Sequence, residues 1–120
     1  MSSMQMNFDF LGYIGKFVPQ ENRLLVKIGT PDSYQEGDKW VNVTRWNTVT
    51  ILGDKFIEYV KRTANVGDFV RVQGYTYEGQ WQKNGETVYG QQTRAVIFDV
   101  KVPKSRMKES SRDNHSNGEG

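Results

Sequence analysis

Few residues in this chain are of types that make or break covalent bonds. There is one histidine, His115, in a polar stretch, and there is no cysteine, so thiolate metal sites and thiol catalysis are excluded. No histidine pair stands at metal-ligand spacing, and no Gly-Lys-Ser/Thr phosphate cradle occurs. Asp54 and Glu58 lie one helical turn apart, an arrangement that suits capping and solvation better than acid–base work. The chemistry on offer is noncovalent: fifteen Phe, Trp and Tyr residues, several of them in alternating polar segments. In KWVNVTRW, Lys39 to Trp46, two of the three tryptophans stand six residues apart. In an extended chain Trp40, Asn42, Thr44 and Trp46 share one face, and Val41 and Val43 share the other. The valines read as the core face, so the tryptophans point at solvent or at a partner. The alternative, a face packed under a second sheet or subunit, suits Asn42 and Thr44 less well.

The elements that must position these rings are strands and one helix. NFDFLGYIGKFV reads as a first strand, with Gly12 and Gly15 permitting a bend or a close backbone approach. Pro19 to Asn22 form a turn and RLLVKIG is a second strand. TPDSYQEGD, rich in turn formers and charge, is a loop leading into KWVNVTRW. In GDKFIEYVKRTANVGD, Phe56, Ile57 and Val60 recur at helical spacing, with Asp54 placed to cap the start, Lys61 and Arg62 in the last turns and Gly67 beyond the end. FVRVQGYTYEGQWQK and ETVYGQQTRAVIFDVKV flank Asn84-Gly85, a pair suited to a two-residue type I′ hairpin turn. The expected fold is all-β: a five-stranded OB-type Greek-key barrel with one α-helix between strands 3 and 4. A small β-sandwich is the competing architecture.

That hairpin turn sets Lys83 opposite Glu86, Trp81 opposite Val88 and Arg94 opposite Tyr75. With Val70 and Val72 inward, the outward face carries Arg71, Gln73, Tyr75, Tyr77, Trp81 and Lys83, and a bulge at Gly74 or Gly79 would flip part of that set. A sheet edge dressed with amphipathic tyrosines is the plainer reading. Yet two segments now place Trp and Tyr on faces shared with Arg, Lys, Asn and Gln. Unpaired bases stack on such rings at about 1–3 kcal/mol each, while nearby cations meet phosphates. Stacking accepts any base, so this surface suits single strands of any sequence and not a duplex.

Charge adds little. Sixteen basic residues face fourteen acidic ones, a net +2, too small to announce nucleic-acid binding through bulk electrostatics. Four basic and three acidic residues lie from Pro103 onward, leaving twelve against eleven before it. The chain divides into a folded domain over 1–102 and a polar, compositionally disordered tail over 103–120. No apolar run approaches membrane-spanning length and MSSMQMNF lacks a signal-peptide pattern. The expectation is a cytoplasmic, nucleoid-associated protein with no cofactor.

Over roughly Asn7 to Val102 the chain resembles the bacterial-type single-stranded DNA-binding proteins. The matching pieces are FLGYIGKFVPQE, KWVNVTRW and VGDFVRVQGYTYEGQWQKNGETVY; the last, Val-x-Val-x-Gly followed by a Trp, a Gly-tipped turn and a Tyr, is the most specific. The resemblance implies stacking positions at Trp40, Trp46 and Trp81, with Tyr89 at a common aromatic position past the hairpin. Asn42 falls where the family often has a basic residue. NTVTILG reads as extra length before the helix, so a second alignment gives Trp46 the role assigned to Trp40. The resemblance also implies a homo-oligomer, with a tetramer favoured over a dimer, in which Phe8, Phe10 and Tyr13 serve an interface or the core. SRMKESSRDNHSNGEG lacks the family's acidic, apolar tip, so recruitment of repair enzymes through it is not expected; a plasmid or phage version fits that departure.

The reading is a protein that coats single-stranded DNA without sequence specificity, in replication, recombination or repair, and is not an enzyme. Its interface is expected at Trp40, Asn42, Trp46, Arg71, Tyr75, Tyr77, Trp81, Lys83, Tyr89 and Arg94. The alternative is an OB-fold protein-interaction or primosome-accessory module with weak nucleic-acid binding. An RNA-directed variant is a third, since stacking does not distinguish ribose from deoxyribose.

Overall fold

The structure is a computed structural model and describes residues 5–106. Five strands and a helix follow one another as β1 (Met6–Pro19), β2 (Arg23–Glu36), β3 (Lys39–Leu52), α1 (Asp54–Thr63), β4 (Phe69–Lys83) and β5 (Glu86–Val102). The strands close a barrel in the order β1-β2-β3-β5-β4. Every neighbouring pair is antiparallel except β3 and β5, which meet in parallel at Thr50 and Arg94. The expected element order is the observed one, and closure excludes a sandwich.

Strand alternation fills the interior. Leu24, Val26 and Ile28 of β2, Val49 and Ile51 of β3, Val70 and Val72 of β4 and Phe98 of β5 are all buried, together with Ile14. The helix closes one end with Val60 buried and Phe56 and Ile57 packed on the core, the three residues whose spacing predicted it. Phe8 and Phe10 also pack on this core, whereas Tyr13 is exposed and rests on Phe69 with ring centroids 4.9 Å apart. Asp54 is not the helix cap: that position is Gly53, which has no side chain to accept a bond, and Asp54 sits in the first turn. There its charge still favours the helix start, as Lys61 and Arg62 favour the end.

The largest departure from expectation is at TPDSYQEGD, which is not a loop. β2 continues through Thr30 to Glu36, the chain reverses at Gly37 and Asp38, and Glu36 pairs with Lys39. Gly37 takes φ 63° to make the reversal, and the complete ladder of β3 outweighs the weak strand preference of Pro31, Asp32 and Ser33. β3 likewise runs on past Trp46 to Leu52, and its buried residues are Val49, Thr50 and Ile51. Val41 and Val43 are therefore not core residues. They share a face with Val49 and Ile51 but lie beyond the barrel and are only half-buried.

The second hairpin follows the predicted register. Asn84 and Gly85 take φ 54° and 82°, as a type I′ turn requires, and Lys83–Glu86, Trp81–Val88 and Tyr75–Arg94 are paired. The ladder shifts between Gln73 and Gly74, and Val96 of β5 is the extra residue. The bulge thus falls on the partner strand and β4 keeps its alternation. A Cβ at Gly74 would run into the Arg94 carbonyl.

Parallel β3 and β5 have a geometric consequence: both hairpin turns lie at the same end of the barrel. At about 3.3 Å per residue each turn stands roughly 30–40 Å from the Thr50–Arg94 seam, in keeping with a longest dimension of 58 Å. We call the two projecting hairpins the β2–β3 arm and the β4–β5 arm. At the opposite end, buried Asp68 accepts the backbone N–H of Asn65 and of Lys104, each at 2.8 Å, and so docks a helical turn over 104–106. The rest of the expected disordered tail, with His115, lies outside the described residues. Among the described residues no helix is long and apolar enough to cross a membrane.

Candidate nucleic-acid interface

On the outer face of the β2–β3 arm, Trp40, Asn42, Thr44 and Trp46 stand opposite Gln35, Ser33, Pro31 and Gly29. Trp40 is 67% exposed and Trp46 59%, so the face carries two indoles left largely open by the described residues. Trp46 does not stand free. Its six-membered ring rests on Gly29, directly across the ladder, and on Gly15 of β1. The reverse face of this arm carries Val41, Val43, Tyr34 and Arg45. Arg45 Nε donates to Asp32 Oδ2 at 3.2 Å, and its guanidinium lies 6.0 Å from the Tyr34 ring centre. The Arg45 hydrogen bond, followed by the Ser33 N–H, holds the Asp32 carboxyl below the usual carboxylate range.

On the outer face of the β4–β5 arm, Tyr75, Tyr77, Trp81 and Lys83 stand opposite Arg94, Gln92, Val88 and Glu86. Tyr75 and Tyr77 are neighbours at 5.8 Å between ring centres, and the Arg94 guanidinium lies 5.9 Å from the Tyr75 ring. Arg94 pairs with Tyr75 on one side and with Thr50 of β3 on the other, so it marks where the two arms join. Trp81 is 41% exposed and, like Trp46, packs over a glycine, Gly90.

Two of the ten expected interface residues behave differently. Arg71 is on the same outward row but already engaged: Nε donates to Asp9 Oδ1 at 2.9 Å and Nη2 to Asp9 Oδ2 at 2.6 Å. Gln73 Nε2 adds a bond to Oδ2 at 3.0 Å. With the Arg71 bond as the larger cause and the Gln73 bond next, the Asp9 carboxyl is lowered to about 2. Tyr89 sits opposite Gln80 on the reverse face of its arm, exposed but turned away from Trp81. The structure therefore gathers Trp40, Asn42 and Trp46 on one arm and Tyr75, Tyr77, Trp81, Lys83 and Arg94 on the other. Sequence reasoning allowed Gly15 a close backbone approach without naming Trp46 as what approaches it, and it missed Gly29 and Gly90 as supports. Their signal is positional, and Gly29 opposite Trp46 emerges only once TPDSYQE is paired as a strand. Among the described residues no group of His, Asp or Glu converges on a metal position.

No protein-family model matches the chain, and no curated protein matches it in sequence. Solved structures do match in shape. A deletion mutant of the single-stranded DNA binding protein from Thermus aquaticus superposes with a TM-score of 0.66 at 20% identity, over 83% of this chain and 52% of that one. The Plasmodium falciparum SSB in complex with ssDNA gives 0.60 at 13%, over 78% and 93%. A mitochondrial single-stranded DNA binding protein from S. cerevisiae gives 0.60 at 15%, over 82% and 97%. The closed order β1-β2-β3-β5-β4 with a helix between β3 and β4 decides the architecture. It is an OB fold. Within the OB barrel the two arms are extensions of strand pairs β2–β3 and β4–β5; Trp40 and Trp81 lie on those extensions, whereas Trp46 and Tyr75 lie on the barrel wall itself, Trp46 against Gly15 of β1 and Tyr75 paired with Asn7 of β1.

Proposed function

We propose that this OB protein binds and coats single-stranded DNA without sequence preference, in replication, recombination or repair, and performs no chemistry on it. Bases stack on Trp40, Trp46, Tyr75, Tyr77 and Trp81, while Lys83 and Arg94 meet phosphates and Asn42 donates a neutral hydrogen bond. The observation that carries the reading is that all three tryptophans are exposed on strand faces rather than in the core. Stacked indoles facing water are otherwise a poor use of apolar surface. The shape likeness to proteins named for single-stranded DNA binding supports the same reading. Assembly as a homotetramer belongs to it too, supported by exposed Leu11, Tyr13, Val96 and Ile97 on the outside of the barrel.

The test is a titration of intrinsic tryptophan emission with poly-dT and with a matched duplex, at low and high salt. Deep quenching by the single strand alone, weakening as salt rises, is the expected result. A protein-interaction module is the second reading, favoured by the ion pairs that occupy Arg45 and Arg71. Absence of quenching by either nucleic acid would give it the lead.

A further inference from the structure

Two of the three tryptophans share a device that the proposed function does not by itself require. Trp46 lies against Gly15 and Gly29, and Trp81 lies against Gly90. Carbon atoms in contact sit about 3.5–4.0 Å apart. A Cβ built on Gly29 would stand 2.9 Å from Trp46 Cζ3 and 3.0 Å from Cη2. One built on Gly15 would stand 2.7 Å from Cη2 and closer still to Cζ3. The indole therefore occupies the space that side chains at both positions would take.

Gly15 is the more informative of the two. It lies where the β1–β2 register shifts, between Ile14 and Lys16, so the bulge carries its backbone under the ring. Beyond Trp46, the nearest atom to a Cβ there is the Lys27 carbonyl oxygen at 3.6 Å, an ordinary contact. A methyl group at Gly15 thus has one obstacle, the indole itself. At Gly29 the Thr44 methyl is a second obstacle, at 2.9 Å.

We propose that Gly15 and Gly29 are positioning residues that hold one face of the Trp46 indole against the sheet and leave the other face free for a base. The inference rests on the proposed single-strand binding. A ring pressed onto backbone loses less freedom on stacking than one that swings on its Cβ, and only glycine lets the backbone come that close. Gly90 does the same for Trp81, whereas none of the described glycines lies against Trp40, the most exposed of the three at 67%.

Gly15→Ala is the test. Tryptophan emission is read in a Trp40→Phe/Trp81→Phe background that leaves Trp46 as the sole indole, and affinity for a dT oligonucleotide is read by anisotropy in the otherwise unchanged protein. Gly15→Ala is expected to raise acrylamide quenching of Trp46 without DNA and to weaken binding at least fivefold, up to the roughly 5–150-fold that a whole stacking contact is worth. Adding Gly15→Ala to Trp46→Ala is expected to change nothing further, because the obstacle is gone. Unchanged quenching with wild-type affinity in Gly15→Ala would overturn the inference, as would an equal loss of affinity in the Trp46→Ala background. If Gly15→Ala does not fold, recovery of folding in the double variant supports the inference and continued failure overturns it. Lack of binding by the unaltered protein is a different outcome, since it removes the proposed function and leaves the DNA-free quenching comparison to decide the packing.

Discussion

Replacing Trp40 with alanine separates binding from folding more cleanly than any other change. Trp40 is 67% exposed, so about a third of a side chain of roughly 250 Å² is covered, near 80 Å². At about 25 cal/mol per Å² this is worth at most about 2 kcal/mol, an upper limit because the unfolded chain also covers some of it. That contribution falls on the arm: the first core residue of β3, Val49, is nine positions away, about 30 Å along the strand. A lost stacking contact costs about 1–3 kcal/mol, which raises Kd for a dT oligonucleotide roughly 5–150-fold. Anisotropy with a labelled oligonucleotide measures that loss, and urea unfolding followed by circular dichroism measures stability in parallel. Val72→Ala is the mirror control. That side chain is fully buried, so its truncation lowers stability by about 2 kcal/mol and leaves Kd unchanged. The reasoning is refuted if Trp40→Ala binds within twofold of the unaltered protein, or if it unfolds the barrel.

Other expectations follow from the same geometry. Tyr89→Ser, on the reverse face, should leave Kd within twofold, whereas Tyr77→Ala on the outer face should weaken binding at least fivefold in the same anisotropy assay. Asp68→Ala strips the acceptor from the Asn65 and Lys104 N–H groups; at about 1–3 kcal/mol for each unsatisfied donor, urea unfolding should show a clear loss. The Asp9 carboxyl is held at about 2, below its ordinary 3.8, so its stabilising contribution is present above pH 3.8 and is lost as pH falls toward 2. Urea midpoints measured between pH 4 and 2 should fall more steeply in the unaltered protein than in Asp9→Asn.

Element order, helix and second hairpin were legible because each carries a local signal. Asn84-Gly85 fixes its turn almost alone, and two ordinary residue counts then place Trp81 and Arg94. The β2–β3 arm lacked such a signal. Pro31, Asp32, Ser33 and Gly37 together look like a loop, and only pairing with a distant partner makes a strand of them. Missing that pairing also hid the depth of β3, so Val41 and Val43 were placed in a core that begins at Val49. The outward placement of Trp40 and Trp46 survived because it depends on parity and not on depth. Arg71 was legible as an outward cation but not as a neutralised one, since its partner Asp9 is sixty-two positions away. Tyr89 was chosen by motif rather than by parity, and parity alone would have put it on the other face from Trp81.

The arms also bear on how such a protein can change over generations. Neither turn touches the core, so insertions and deletions there are tolerated wherever pairing survives. Pairing, however, counts residues in twos. Adding two residues to each strand between Trp46 and the core lengthens the β2–β3 arm by about 7 Å and keeps both tryptophans on their face, while adding one to each there turns them to the opposite side. Lineages descended from this chain should therefore vary freely in length at the turn but differ only by even steps per strand between Trp46 and the core, with odd steps appearing there only beside a compensating bulge.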